Sequence, residues 1–252
     1  MLYLVSLINY LGDFFIFCLQ SFIWFFKRPF RTRLFIDQFN IIGVNSIPII
    51  ALVSIFTGMV FALQTTYAFR MFNAETLVGM TVGLSLTREI APVFAALMIT
   101  ARVGSSMSAE LGTMRVTEQI DALESMAVHP HQYLVVPRVF TSMLMVPLHT
   151  VIFDFIGIMG SYFVGVVLMK IPSGPFLQRL EQMVDPDDVI GGVMKAAVFG
   201  FILASISCFE GFRTRGGAKG VGISTTRAVV ISSVSILITD YFLTQVVLEF
   251  FK

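Results

Sequence analysis

The chain has 252 residues, of which 56% are apolar and 13% charged, with a mean hydropathy of +0.84. A soluble domain carries about 25% charged residues, so this composition specifies an integral membrane protein. A net charge of +1 gives no electrostatic basis for nucleic-acid binding. The two cysteines, Cys18 and Cys208, both lie in apolar runs and read as buried thiols, with no disulfide or metal framework.

In chain order, Met1 to Phe26 is apolar and aromatic, interrupted by Asn9, Asp13 and Gln20. It lacks a basic leader and a small-residue cleavage site, so it does not read as a signal peptide. The basic residues Lys27, Arg28, Arg31 and Arg33 follow at once. The favoured reading for residues 1–40 is a helix lying in the cytoplasmic interface, held by that basic anchor; a true span is the alternative. Residues 41–252 form the main membrane domain. Its spans are predicted at about 47–69, 81–103, 139–169, 189–209 and 228–250, each close to the ~20 apolar residues a bilayer requires or longer. Pro48 falls at the start of the first span, where proline is tolerated. A polar loop is predicted over 170–188, with Pro172, Gly174, Pro175 and Pro186, and a glycine- and base-rich loop over 210–227. The fold class is therefore all-α: an interfacial helix and five transmembrane helices. With a cytoplasmic N-terminus, eleven Lys and Arg residues fall on the inside and four on the outside, leaving Arg88 and Lys195 within spans. That bias orients the chain N-in and C-out.

Between the second and third spans lies Glu110 to Pro130, the longest charged stretch that keeps an apolar pattern. Val116, Ile120, Leu123 and Ala127 recur at spacings that place them on one helix face. Thr117, Glu118, Asp121, Glu124 and Ser125 take the opposite arc. Pro130 predicts a stop near Val128. The predicted helix, about 112–128, runs roughly 20 Å from Arg115 to Val128. That is too short and too charged to span, so it lies along the membrane or against another protein. Amphipathicity alone leaves both open.

Ionisable residues at membrane depth are costly and usually functional. They are Arg88 and Glu89 on the second span, His149 and Asp154 on the third, Lys195 on the fourth and Asp240 on the fifth. At about 1.5 Å per residue, Arg88, Glu89 and Lys195 lie roughly 10 Å below the outer face and Asp240 near the middle or slightly outside it. Charges of both signs thus converge on the outer half of the bundle. They serve either as mutual neutralisation between helices or as a polar cavity for a charged headgroup, and spacing does not separate the two. Catalytic signals are weak. There is no phosphate-binding G-x-x-x-x-G-K-[ST] loop and no H-E-x-x-H. Ser105 and Ser106 with His149 lack a nucleophile elbow, and serines in spans ordinarily pack helices. His129 and His131 flank Pro130 without a third metal ligand.

The segment G-T-M-R-V-T-E-Q-I-D-A-L-E-S-M-A-V-H-P, Gly112 to Pro130, resembles the signature of MlaE-type permeases, the membrane subunits of ABC transporters that work with MCE-domain proteins. Further motifs are S-L-T-R-E-I-A-P (Ser85–Pro92), A-R-V-G-S-S-M-S-A-E (Ala101–Glu110), N-A-E-T-L-V-G-M (Asn73–Met80) and G-I-S-T-T-R-A-V-V (Gly222–Val230), in order from about Asn40 onward. The resemblance implies a non-enzymatic permease domain over 41–252 in the inner membrane of a diderm bacterium, working as a homodimer. Its implied partners are a cytoplasmic ABC ATPase, a periplasmic MCE protein and, in some systems, a small STAS-domain protein. The chain itself holds no cofactor; ATP and Mg belong to the ATPase. The implied cargo is phospholipid moved between inner and outer membranes, while relatives serve plastid lipid import and actinobacterial lipid uptake. By the same resemblance Leu63, Tyr67, Arg88, Glu89, Lys195 and Asp240 line the lipid cavity, and Arg115, Glu118, Gln119, Asp121 and Glu124 meet the ATPase. His149 and Asp154 match no family pattern. A secondary transporter or channel using the intramembrane charges, and a scaffold for a periplasmic complex, are the competing classes.

Overall fold

The structure, a computed structural model, describes residues 2–27 and 31–250; Arg28 of the basic anchor and Lys252 of the charge count lie outside the described residues. Every described element is helical. Six helical runs are long and apolar enough to cross a membrane. The first is α1 (Leu2–Phe25). The second joins α2 (Thr32–Gln38) through a π turn and a 3-10 turn to α3 (Ile47–Arg70). The third, Glu75 to Val116, contains α4 (Val78–Ser85), α5 (Ala91–Ile99) and α6 (Ser105–Val116), linked by π turns at Leu86–Ile90 and Thr100–Gly104. After the short α7 (Gln119–Ser125), the fourth run enters through a π turn, follows α8 (Val136–Tyr162) and ends in another. A surface helix, α9 (Ser173–Met183), precedes α10 (Pro186–Phe212) and α11 (Gly217–Phe250).

The long helices alternate in direction, so the bundle has an end carrying α7 and a far end carrying α9. α3 and α8 cross closely because Gly58 has no side chain: a Cβ there would lie 2.0 Å from the Gly157 carbonyl oxygen. Small-residue crossings of this kind replace the hydrophobic driving force that is absent between helices in lipid.

α1 runs across the α7 end. Its Tyr10 hydroxyl donates to Glu210 at 2.6 Å, Arg213 donates to Asp13 at 2.8 Å, and Phe14 and Phe17 meet the Phe209 ring edge-on. Near its other end Trp24 stacks on His129, with ring centroids 3.7 Å apart. From Tyr10 to Trp24 is about 21 Å of helix, yet these partners all lie at the α7-end terminus of α10 or in the loop beyond α7. A helix running beside the bundle would meet its neighbours at changing depth. This one lies over the end, with its apolar residues largely exposed.

Three stretches differ from the sequence expectation. The predicted helix over 112–128 is broken. α6 ends at Val116, Glu118 turns with φ 58°, and α7 covers only Gln119–Ser125. Gly211 and Gly112 hold α6 tightly against the end of α10, so a straight continuation carries Ile120 past the bundle; the corner instead folds it back to 1% exposure. α7 is closed by Ala127, two residues past its end and also at positive φ, with the Val128 and Ala127 amides donating to the Leu123 and Glu124 carbonyls. This is a Schellman closure with alanine in the usual glycine position. Second, the expected loop over 210–227 shrinks to the turn Arg213–Gly216, and α11 begins at Gly217. Low glycine helix propensity is overridden by packing: Gly220 sits against the Arg215 backbone and Thr214 bonds Ser224. Third, the expected polar loop over 170–188 contains α9, whose Phe176 is fully buried and whose Leu180, with Val184 beyond it, covers Gly83.

Candidate functional site

Four of the sequence-predicted residues come together in one cluster. It is centred on Lys195 of α10, which is 2% exposed. Its three ammonium N–H groups are shared among four acceptors: Glu89 Oε2 at 2.7 Å, Thr244 Oγ1 at 2.7 Å, the Arg88 carbonyl at 3.0 Å and Asp240 Oδ1 at 3.1 Å. Local sequence explains the third contact. Pro92 has no N–H, so the Arg88 carbonyl, four residues earlier, lacks its α-helical donor. The Leu86–Ile90 π turn presents that carbonyl to α10, and Lys195 takes it. Such turns recur at functional sites. Gly192, one turn before Lys195, allows the approach: a Cβ there would lie 2.3 Å from the Thr87 carbonyl oxygen.

The Arg88 side chain points the other way and pairs with Asp188 at 2.6 Å. Asp188 also closes a capping box with Asp185 at the start of α10. Ionised, the five side chains hold two positive and three negative charges, Arg88 and Lys195 against Glu89, Asp188 and Asp240. Lys195 is enclosed, whereas Arg88 and Glu89 each keep an exposed side. The recess among them holds about 40 Å³, room for water but far below the ~300 Å³ of a small-molecule pocket. An open groove of about 380 Å³ lies between α3 and α5, walled by Phe56, Val60, Phe61, Ile90 and Phe94, with Gln64 at one side. Leu63 and Tyr67 lie beside it on α3 at 38% and 58% exposure, and neither lines the recess of the ionic cluster.

Asp188 and Thr244 are members of the cluster that sequence reasoning missed. Asp188 was legible as a cap from its spacing to Asp185, though its pairing with Arg88 was not. Thr244 stands one turn beyond Asp240 on the same face. His149 and Asp154 lie elsewhere on α8: His149 Nε2 shares a hydrogen bond with the Gly43 carbonyl at 3.0 Å, and Asp154 is buried apart from the cluster. Ser105 is turned to the Ala101 carbonyl and Ser106 is exposed, so neither joins His149.

At the other end of the same helical run, the five predicted coupling residues surround the α6–α7 corner. Arg115 pairs with Asp121 across it. Glu118 and Gln119 are exposed and make no side-chain hydrogen bond or ion pair among the described residues, and Glu124 is exposed as well. Beyond α7, partial burial holds the His129 imidazole below the usual histidine range; the Glu124 carboxylate opposes that shift and Lys27 reinforces it.

Six helical runs long and apolar enough to cross a membrane define a polytopic α-helical membrane protein. The profile of the Permease MlaE family matches residues 35–246. The chain belongs to the MlaE permease family. It is 46% identical to a probable ABC transporter permease protein of Rickettsia conorii, covering 96% of this chain and 92% of the relative. It is 41% identical to a probable ABC transporter permease protein of Synechocystis, covering 91% and 88%. It is 37% identical to the intermembrane phospholipid transport system permease protein MlaE of Haemophilus influenzae, covering 84% and 82%. The chain is thus the transmembrane permease component of an ABC transporter.

Proposed function

We propose that this permease moves phospholipid between the inner and outer membranes of a diderm bacterium, driven by ATP hydrolysis on a separate subunit. The observation that carries this reading is the continuity of the run from Glu75 to Val116. One helical rod bears Glu89 in the polar cluster and ends at the Glu118 corner, about 40 Å away. A push on α7 is therefore delivered along the rod to the cluster. α6 packs on both α10 and α11, the helices that supply Lys195 and Asp240. The two π turns are where the rod changes register with least loss of hydrogen bonding. The cycle is a rigid-body switch between packings, with no covalent chemistry in this chain.

In this reading the exposed sides of Arg88 and Glu89 meet the headgroup, and the apolar groove beside Leu63 and Tyr67 takes acyl chain. The recess in one subunit is too small for a headgroup, which agrees with a cavity completed by a second copy in a homodimer. Arg115, Glu118, Gln119, Asp121 and Glu124 meet the ATPase, which holds ATP and Mg. An MCE-domain protein takes or delivers lipid at the far end, with a STAS-domain protein as an accessory in some assemblies. The chain lies N-in and C-out in the inner membrane, supported by the basic residues gathered at the α7 end. The name of the Haemophilus relative supports the cargo.

The test is Glu118→Arg in the tagged permease. The ATPase is expected to be lost on purification, or to hydrolyse ATP without moving lipid between vesicles. Normal co-purification together with normal lipid movement would overturn the assignment.

A further inference from the structure

A second polar recess lies at the α7 end, where α1 and the start of α2 meet the chain just after α7. Its cations are Lys27 and Arg31. Lys27 Nζ sits 4.1 Å from the centroid of the Trp24 ring, and the Arg31 guanidinium lies 5.0 Å from that of Tyr133. Both cations are thus held on aromatic faces. Neither has a carboxylate partner among the described residues, although Asp37 lies on α2 and Glu124 on α7. Gln132 donates to the Lys27 carbonyl at 2.6 Å and fixes the corner of the recess. Leu34, Val136 and Pro137 complete an apolar wall, and beyond it Phe22, Phe26 and Ile36 are exposed.

We infer that Lys27 and Arg31, at the rim of this recess of about 20 Å³, bind the phosphate of an anionic phospholipid headgroup lying at the surface of the adjoining leaflet, with the acyl chains over the exposed face of α1 and α2. Two unneutralised cations a few ångströms from apolar, outward-facing surface match a phosphodiester joined to hydrocarbon, and basic clusters beside interfacial helices attract anionic lipid. A free phosphate shares the charge but has no use for the apolar wall. The site is far from the Lys195 cluster and does not rest on the transport reading; it needs only that this end of the bundle meets a lipid surface. Because one wall is α1–α2 and the other follows α7, a bound headgroup ties the interfacial helix to the base of the α7 corner.

Trp24 is the single tryptophan of the chain and reports directly on the site. The full-length chain is reconstituted in phosphatidylcholine vesicles, and Trp24 emission is quenched with dibrominated phosphatidylglycerol or dibrominated phosphatidylcholine at equal mole fraction. The anionic lipid is expected to be preferred about thirtyfold, as two surface cations allow. The preference should vanish in Lys27→Gln/Arg31→Gln and return in Lys27→Arg/Arg31→Lys, each ratio being taken within one variant so that altered Trp24 emission cancels. Equal quenching by the two lipids, or an anionic preference that survives in the double glutamine variant, would overturn the proposal. Millimolar inorganic phosphate that abolishes the preference at constant ionic strength would assign the site to free phosphate and overturn the lipid.

Discussion

Lys195 and Glu118 act on the same helical run, one near its far end and the other at its α7 end, and their surroundings are opposite. Around Lys195 the ammonium has four acceptors from two other helices, and its own side chain is buried. Around Glu118 the backbone is held in the left-handed region while the side chain has no partner among the described residues. A buried charge must be satisfied within the molecule, because leaving one partner unpaired is strongly destabilising. An exposed charge costs little and stays available to another surface. The first arrangement ties helices together; the second leaves its side chains exposed.

That contrast is broken most severely at its buried pole. Lys195→Met leaves Glu89 and Asp240 facing each other without a cation. The loss is expected near the lower part of the ~3–5 kcal/mol range for a broken buried pair, because Glu89 is partly solvated. It would appear as a large fall in Tm in detergent, with partial recovery when Asp240→Asn is added. A fall no greater than that of an exposed pair would show that the cluster is not a stabilising hub. Next is Gly192→Ala, which pushes α10 off the π turn and costs about 1–3 kcal/mol by overpacking. Gly192→Val should be worse in the same thermal assay, and equal stability of the three proteins would refute the close approach.

At the exposed pole, Glu118→Gly separates backbone from side chain. Glycine adopts positive φ without the ~1 kcal/mol cost borne by other residues. Tm should therefore hold or rise slightly while association with the ATPase weakens through the lost carboxylate; a clear drop in Tm would contradict the strained corner. The smallest effect is expected for Asp121→Asn. The exposed Arg115–Asp121 pair is worth about 0.2–1 kcal/mol, a difference that high salt should erase.

Much of the site was legible as depth. Counting residues from the span ends put Arg88, Glu89 and Lys195 at one level and Asp240 near the middle or slightly outside it, and the helices bring Glu89, Asp240 and the Arg88 carbonyl onto Lys195. Which acid meets which base was not legible, because depth says nothing of azimuth: Arg88 turns to Asp188 while its neighbour Glu89 turns to Lys195. The role of Pro92 follows from its missing N–H, but only once α10 is known to face that carbonyl. At the α7 end the apolar period grouped Val116, Ile120, Leu123 and Ala127 on one face; Ile120 is buried and Val116 and Leu123 half-buried, but Ala127, in the closing turn, is exposed. The same period ran straight through Thr117 and Glu118, since a corner leaves no trace in spacing when the residues on both sides continue the pattern. The glycines of the 210–227 stretch misled in the opposite sense, reading as loop where they allow α11 to pack closely.

By itself the sequence determined the membrane class, the apolar runs and the family motifs. All of these are local sums of hydropathy, charge and residue order. Only the tertiary structure decided the break at Glu118, the early start of α11, the helix hidden in 170–188, the course of α1 over the bundle end and the pairings around Lys195. Each depends on how closely one helix can approach another, as where Gly192 meets Thr87 and Gly112 meets Thr214. That steric closeness is a property of two distant stretches together and is written in neither alone.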